Sequence, residues 1–134
     1  MNEKRMNKNE LIKLIDTLKI DKNEFWILSS GALVLREIYD DAGDLDIAVT
    51  DKGFRELKQN YNLIPKESGF YKVTDKIECV CNGKIENLKY KPELINGYQV
   101  QNIYEYYEYL KNSKREKDKL RVPIVEKYLS KCNK

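Results

Sequence analysis

An apolar run that ends in three small residues limits the local fold of this chain more than any other feature. Residues 25–28 (FWIL) have the length and composition of a buried β-strand, and Ser29, Ser30 and Gly31 follow directly. Residues 32–35 (ALVL) then predict a helix that reaches to about Tyr39. Small residues let backbone amides approach a ligand closely, and a helix N-terminus favours an anion. The segment predicts a strand–turn–helix unit with a candidate anion site at its turn; a simple helix N-cap is the alternative.

Two aspartates, Asp44 and Asp46, are two residues apart at the next predicted strand, residues 45–49. Side chains on a strand alternate between its faces, so both carboxylates are expected on one side, about 6.6 Å apart along the strand. Two carboxylates beside an anion-binding turn suggest a Mg²⁺ site that acts on a nucleotide. An Asp-x-Asp pair that only faces solvent is the alternative.

Composition and charge restrict the class of protein. The 134 residues are 41% hydrophobic and 35% charged without long low-complexity tracts, which indicates one globular domain, residues 1–134. No apolar stretch approaches the ~20 residues of a membrane span, so we expect a cytoplasmic protein with no membrane partner. Residues 111–134 have a net charge of +6, and the rest of the chain carries −3. This basic segment is consistent with a polyanionic ligand and also with a solvated lysine-rich helix.

The chain contains no histidine and only three cysteines. The absence of histidine excludes catalysis by Ser–His or Cys–His pairs and argues against structural zinc. Cys79 and Cys81 are two residues apart on a predicted strand, a spacing that fits neither a metal knuckle nor a disulfide framework, so we expect small buried hydrophobes. Carboxylates, lysines and tyrosines remain as the available chemistry.

Apolar spacing and turn residues predict the other elements. In chain order they are a helix over residues 9–20, a loop over 40–43, a helix over 54–59 capped by Asp51, a hairpin of 70–73 and 76–81, a strand over 85–90 and an extended piece over 98–100. The mixed order predicts an α+β fold, with a mixed central β-sheet flanked by helices and with C-terminal helices.

The C-terminal part is predicted to form two helices. The first covers residues 102–111, and a capping box of Ser113 and Glu116 marks the start of the second. Pro123 is expected to kink the second helix or to begin a separate last turn, because proline lacks an amide hydrogen.

The first of these helices contains a cluster of four tyrosines, Tyr104, Tyr106, Tyr107 and Tyr109. We expect Tyr106 and Tyr107 in the core and the other two at the surface; base stacking or a dimer face are alternatives.

Taken in order, these motifs resemble the nucleotidyltransferase superfamily in its small minimal form, which has the fold of the DNA polymerase beta-like nucleotidyltransferases. The family has an apolar strand, a Gly-Gly or Gly-Ser turn, a helix and an Asp-x-Asp on the next strand, which are matched here by residues 25–33 and 43–49. A later strand supplies a third carboxylate, for which Glu78 is the best match. An Arg-x-Lys-Asp motif at a C-terminal helix is matched by Arg115 and Lys117, with Asp118. The chain departs from the family in having serine for the first turn glycine and glutamate where aspartate is commoner.

The resemblance implies transfer of a nucleoside monophosphate from an NTP to a hydroxyl of an acceptor, with Mg²⁺ or Mn²⁺ as cofactor. The implied catalytic and metal-binding residues are Asp44, Asp46 and Glu78. The implied nucleotide-binding residues are Ser29, Ser30, Gly31, Arg115 and Lys117. The acceptor could be a protein, an RNA end or a small molecule. Minimal relatives often belong to toxin–antitoxin or phage-defence modules, which by analogy favours a protein or RNA acceptor. A homodimer or a cognate partner protein is a further expectation.

Two other functions stay open from the residues. A catalytically inactive nucleotidyltransferase-fold binding module is favoured by the serines in the turn. A basic RNA-binding domain, in which the C-terminal helix tracks phosphates, is favoured by the charge of residues 111–134.

Overall fold

The computed structural model describes residues 5–132, which form five α-helices, two short 3₁₀ helices (Lys22–Glu24 and Ile85–Asn87) and nine strands. The helices are α1 (Lys8–Asp16), α2 (Ser29–Leu35), α3 (Asp51–Asn60), α4 (Ile103–Asn112) and α5 (Glu116–Cys132). The strands are β1 (Met6–Asn7), β2 (Phe25–Ile27), β3 (Asp41–Ala42), β4 (Leu45–Val49), β5 (Ile64–Pro65), β6 (Tyr71–Lys72), β7 (Ile77–Cys81), β8 (Glu93–Ile95) and β9 (Tyr98–Val100). None of these five helices is both long and apolar enough to cross a membrane.

Seven of the strands form one mixed sheet in the order β5-β6-β7-β4-β2-β9-β8, and β1 and β3 form a separate pair. The central strand β4 pairs antiparallel with β2 and parallel with β7. This confirms the predicted mixed sheet with flanking helices and C-terminal helices. The predicted hairpin around residues 74 and 75 is also confirmed, as β6 and β7.

The two faces of β4 have different surroundings. Leu45, Ile47 and Val49 are fully buried in the main core, which also contains side chains of α1, α2 and α3. Ala48 lies on the other face, where it pairs with Trp26 of β2 in a smaller apolar cluster. Asp46 shares this second face because side chains on a strand alternate. The second face of β4 is therefore apolar at one end and acidic at the other.

Two predicted helices are shorter in the structure. Helix α1 ends at Asp16, and the Thr17 hydroxyl donates a hydrogen bond to the Leu14 carbonyl at 2.6 Å. Leu18 and Ile20 nevertheless pack against the core, which explains why the apolar pattern continued beyond the helix. Helix α2 ends at Leu35, because Glu37 has a φ of 63°, which an α-helix does not allow.

Three further predictions were wrong in detail. Thr50, and not Asp51, caps α3, and its hydroxyl accepts a hydrogen bond from the Gly53 N–H at 3.1 Å. Residues 41 and 42 are not a loop but pair with β1. Residues 85–90 are not a strand, because the Lys91 ammonium bonds three carbonyls there and Ile85–Asn87 form a short 3₁₀ helix.

The C-terminal helices were predicted correctly, but their bonding differs. Asn102 caps α4 by accepting a hydrogen bond from the Tyr104 N–H at 2.9 Å. The Ser113 hydroxyl accepts from the Arg115 N–H and donates to Asp118, a pattern different from the predicted capping box. Pro123 lies inside one helix, α5, and does not begin a separate one.

Gly53 in α3 provides a test of the packing between α3 and the segment before β2. A Cβ atom at this position would lie 2.5 Å from the Glu24 carbonyl oxygen, which is fixed because Glu24 also accepts a 2.6 Å hydrogen bond from the Thr50 hydroxyl. Alanine is the better helix former by about 1 kcal/mol, but the overlap with backbone should outweigh this gain. We expect Gly53→Ala to lower the free energy of unfolding by about 1–3 kcal/mol in urea denaturation.

Lys52→Ala, at an exposed neighbour in the same helix, is the control and should change this free energy by less than about 0.5 kcal/mol. A Gly53→Ala variant as stable as the wild type would show that the Glu24 segment moves aside.

Candidate functional site

A cleft with a volume of about 310 Å³ brings together residues from five separate segments of the chain. Six of the eight predicted site residues line it, namely Ser29, Ser30, Asp44, Asp46, Arg115 and Lys117. Arg5, Gly43, Tyr106, Tyr109, Asp118 and Arg121 complete the lining. The two remaining predicted residues do not line the cleft. Glu78 acts on it at a distance, because its negative charge raises the pKa of Asp46, and Gly31 lies in the core.

The carboxylates are positioned by β4 and its parallel neighbour β7. Asp44 directly precedes β4 and is exposed, whereas Asp46 lies within β4 and is partly buried. The parallel register places Glu78 of β7 opposite Asp46. Paired residues of adjacent strands project to the same face of a sheet, so Glu78 joins the acidic end of the second face of β4.

Asp46 is the most perturbed carboxyl of this group. Its pKa is raised from 3.8 to about 6, first by burial and then by the negative charges of Glu78 and Asp44. Lys66 and Lys117 act in the opposite direction and lower it. Asp46 is therefore surrounded by two carboxylates and two ammonium groups, and a cation placed beside it would relieve the repulsion.

Lys66 is a charged residue of this site that sequence reasoning missed. Its ammonium donates a 2.5 Å hydrogen bond to Glu78, and this bond raises the pKa of Lys66. Lys66 directly follows β5, and residues 66–70 form the turn between β5 and β6. Only the pairing of β6 with β7 shows that this turn comes back beside Glu78.

Ser29 and Ser30 were predicted in a turn before the helix, but they are the first two residues of α2, with Leu28 as its N-cap. Hydrogen bonds to neighbouring segments hold this serine turn. The Leu28 N–H donates to the Asp46 carbonyl at 2.9 Å, and the Ser29 N–H donates to the Gln101 side-chain oxygen at 3.1 Å. Ser29 has a φ of 53°, a conformation that glycine adopts more easily than serine. These bonds hold Leu28 and Ser29 in place, and Ser29 and Ser30 both line the cleft together with Asp46.

Gly31 has a different surrounding from the two serines. A Cβ atom there would lie 2.9 Å from the Ile27 side chain and 3.7 Å from those of Leu11 and Leu45. A close approach of α2 to β2 is therefore sufficient to explain glycine at this position.

The beginning of α5 brings positive charge to the cleft. Asp118 is only 3% exposed, accepts a 2.7 Å hydrogen bond from the Ser113 hydroxyl and has the Arg115 Nε at 3.8 Å. These contacts fix the start of the helix, where Arg115 and Lys117 line the cleft. Lys117 is close enough to lower the pKa of Asp46, which joins the basic and acidic sides of the site.

Sequence reasoning also missed Arg121 and Arg5 as cleft residues. Arg121 is 8% exposed, and its Nη1 donates a 2.7 Å hydrogen bond to the Tyr106 hydroxyl. It is four residues after Lys117 in α5, a helical spacing that could have indicated a shared face. Arg5 donates from Nε to Asp41 at 2.7 Å, and this depends on the pairing of β1 with β3, which no local pattern predicted.

The donor atoms fit a divalent cation that arrives with a phosphate ligand. Within residues 5–132, no group of three aspartate, glutamate or cysteine side chains is arranged to hold a metal ion by itself, and Glu78 is bonded to Lys66. Mg²⁺, however, is usually held by one or two carboxylates together with substrate phosphates and waters. Asp44 and Asp46 could supply oxygen donors to such an ion. Burial is the largest cause of the raised pKa of Asp46, and the charges of Glu78 and Asp44, which a cation would neutralise, come after it.

Comparisons of the chain with protein-family models, curated proteins and solved structures gave no match.

The pKa of Asp46 leads to a testable pH dependence. Because the pKa in the folded protein is about 6 and the ordinary value is 3.8, protonated Asp46 stabilises the fold below pH 4, and this contribution is lost as the pH rises through 6. The change in the free energy of unfolding caused by Asp46→Asn should therefore be more favourable at pH 7.5 than at pH 4. The expected difference is about 1 kcal/mol after allowance for solvent screening. Urea denaturation at both pH values measures this difference.

Asp40→Asn, at an exposed carboxyl outside the cleft, is the control, and its difference between the two pH values should be smaller than that of Asp46→Asn. A wild-type Asp46 carboxyl that titrates near pH 4 in an NMR titration would contradict the expected electrostatics.

Proposed function

We propose that this protein is a Mg²⁺-dependent nucleotidyltransferase, which transfers a nucleoside monophosphate from an NTP to a hydroxyl of an acceptor. The observation that carries this proposal is the cleft itself. Asp44 and Asp46 line it together with Arg115 and Lys117, and the serine turn lies at its edge. Such a reaction needs carboxylates to hold a cation and cationic side chains to bind a triphosphate. It also needs a turn that can approach phosphates closely.

The proposed fold assignment, nucleotidyltransferase-like, is supported by the order of the elements around the cleft. The apolar strand β2, its small-residue turn and α2 precede the strand that bears Asp46, and Glu78 comes from the strand on the other side of β4. This is the arrangement that the resemblance implied for the family's motifs. The charged residues near the start of α5 correspond to the Arg-x-Lys-Asp motif.

The chemistry assigns separate tasks to the two sides of the cleft. Asp44 and Asp46 would hold Mg²⁺, which when bound polarises the triphosphate and neutralises its charge. Arg115 and Lys117 would bind phosphate oxygens and orient the triphosphate so that the acceptor oxygen attacks the α-phosphorus. The bond from the α-phosphorus to the bridging oxygen would then break, and pyrophosphate would leave. The proton of the acceptor hydroxyl would pass to solvent water, or to Glu78 once its contact with Lys66 opens. The cationic side chains would stabilise the charge on this leaving group.

The contact between Lys66 and Glu78 favours a second candidate, a nucleotide-binding module without turnover. A carboxylate bonded to an ammonium group at 2.5 Å is a poor metal ligand and a poor proton acceptor unless the contact opens. If Lys66 stays in place when nucleotide binds, the cleft would bind NTP and cation but would lack its third carboxylate.

Binding of nucleotide is the first test of the proposal. We expect Mg²⁺ with ATP to raise the melting temperature, because a ligand at a hundred times its Kd stabilises the folded state by about 2.7 kcal/mol. Asp44→Asn combined with Asp46→Asn should abolish this shift. Asp75→Asn, at an exposed turn away from the cleft, should keep it. The shift is measured by thermal denaturation with and without Mg²⁺.

A transfer assay with ATP labelled at the α-phosphate, in the presence of cell lysate, distinguishes the candidates. Label transferred by the wild type and lost in the double Asn variant supports the enzyme. Metal-dependent binding without transfer supports the binding module. Binding of single-stranded RNA without any metal-dependent nucleotide shift would instead favour the RNA-binding domain.

A further inference from the structure

We propose that Tyr109 is the residue on which the base of the bound nucleotide stacks. This inference rests on the proposed function, because it concerns the same cleft and adds a contact for the part of an NTP that the carboxylates and cationic groups do not recognise. Tyr109 is 48% exposed and lines the cleft that also contains Asp44, Asp46 and Lys117.

The Tyr109 ring is already part of a stack inside the protein. Its centroid lies 6.1 Å from that of Tyr106, and the two ring planes differ by only 14°. The two residues are three positions apart in α4, so they are neighbours on one side of the helix. Tyr106 is 2% exposed and belongs to the core between α4 and α5.

The inner ring of this stack is held firmly. The Tyr106 hydroxyl accepts the 2.7 Å hydrogen bond from Arg121, and the Arg121 guanidinium lies 5.2 Å from the centroid of the Tyr39 ring. A side chain that packs on a fixed neighbour loses little conformational freedom when a ligand binds to it. Tyr109 is therefore a partly ordered aromatic surface before any ligand arrives.

The other tyrosines of α4 have different surroundings. The Tyr107 hydroxyl donates a 2.6 Å hydrogen bond to Glu126, and its ring lies beneath the Lys111 ammonium at 4.6 Å. Tyr104 is 45% exposed, as Tyr109 is, but it lies outside the cleft lining. Tyr104 is thus a matched control for an exposed tyrosine on the same helix.

The chemistry of the cleft explains why a planar ring matters there. The other cleft residues carry charged, hydroxyl or backbone groups, with buried Tyr106 as the exception, and such groups suit phosphates, a cation and a ribose. A nucleobase has apolar faces that gain from contact with an aromatic ring. Every base has such a face, so a contact of this kind binds nucleotides with little preference among bases.

Isothermal titration with two probes in the presence of Mg²⁺ tests the assignment. ATP carries a base, whereas inorganic tripolyphosphate carries the phosphate chain alone. We expect Tyr109→Ala to weaken ATP binding about 5- to 150-fold and to leave tripolyphosphate binding unchanged. Tyr109→Phe should retain the wild-type affinity for ATP, because it keeps the ring, and Tyr104→Ala should retain it because that ring is outside the cleft.

The possible outcomes separate this inference from the proposed function. A wild type that binds neither probe overturns both. Wild-type binding of ATP with no loss in Tyr109→Ala overturns the stacking role alone, and so does an equal loss for both probes. A single-stranded oligonucleotide serves as a third probe. If Tyr109→Ala binds it more weakly than the wild type does but binds ATP normally, the ring contacts an acceptor base, and the proposed stacking of the ATP base is overturned. A near-native circular dichroism spectrum of Tyr109→Ala shows that the fold is retained.

Discussion

The hydrogen bonding of β4 between β2 and β7 determines where the charged groups of the cleft lie. Side chains alternate along this strand, so the same register that buries Leu45 and Ile47 puts Asp46 on the opposite face. A shift by one residue would place Asp46 in the main core and expose the aliphatic residues. The burial of Leu45 and Ile47 on one face of β4 thus determines that Asp46 lies on the other face. The Leu28 N–H bond to the Asp46 carbonyl extends this control to the serine turn.

The electrostatics of the cleft follow from that placement. Parallel pairing puts Glu78 beside Asp46, and both carboxylates are partly withdrawn from solvent, so their repulsion is only weakly screened. The positive charges of Lys66, in the β5–β6 turn, and of Lys117, in α5, partly offset this repulsion and lower the pKa of Asp46. Lys66 is bonded to Glu78 itself, so an ion that requires Glu78 would have to displace this ammonium group, whereas an ion held by Asp44 and Asp46 would not.

The sequence predicted the parts of the site that depend on local pattern. β2, β4 and the two C-terminal helices each have their signal within a few residues, whereas α2 begins at Ser29, inside the segment predicted as a turn. The strand β8 was not predicted, although the dipeptide Asn96-Gly97 is typical of a hairpin turn. In the structure both residues have positive φ and form the two-residue turn between β8 and β9. Arg5 could not be placed in this way, because its position depends on the pairing of β1 with β3, which are distant in the chain. Lys66 was not placed because β5, the strand that pairs with β6 and precedes the turn beside Glu78, was not predicted.

The position of Asp46 has a physical cost that a ligand would remove. The neighbouring positions on the same face, Ala48 and Val80, are apolar, and burial is the largest cause of the raised pKa of Asp46. An uncharged side chain of the same size would avoid this penalty at neutral pH. In the proposed function, a divalent cation beside Asp46 would reverse this effect, because a positive charge favours the ionised carboxylate that burial and the charge of Glu78 disfavour. The repulsion among the carboxylates would then strengthen the binding of the proposed cation, and the phosphates that share this ion would lie next to Lys117.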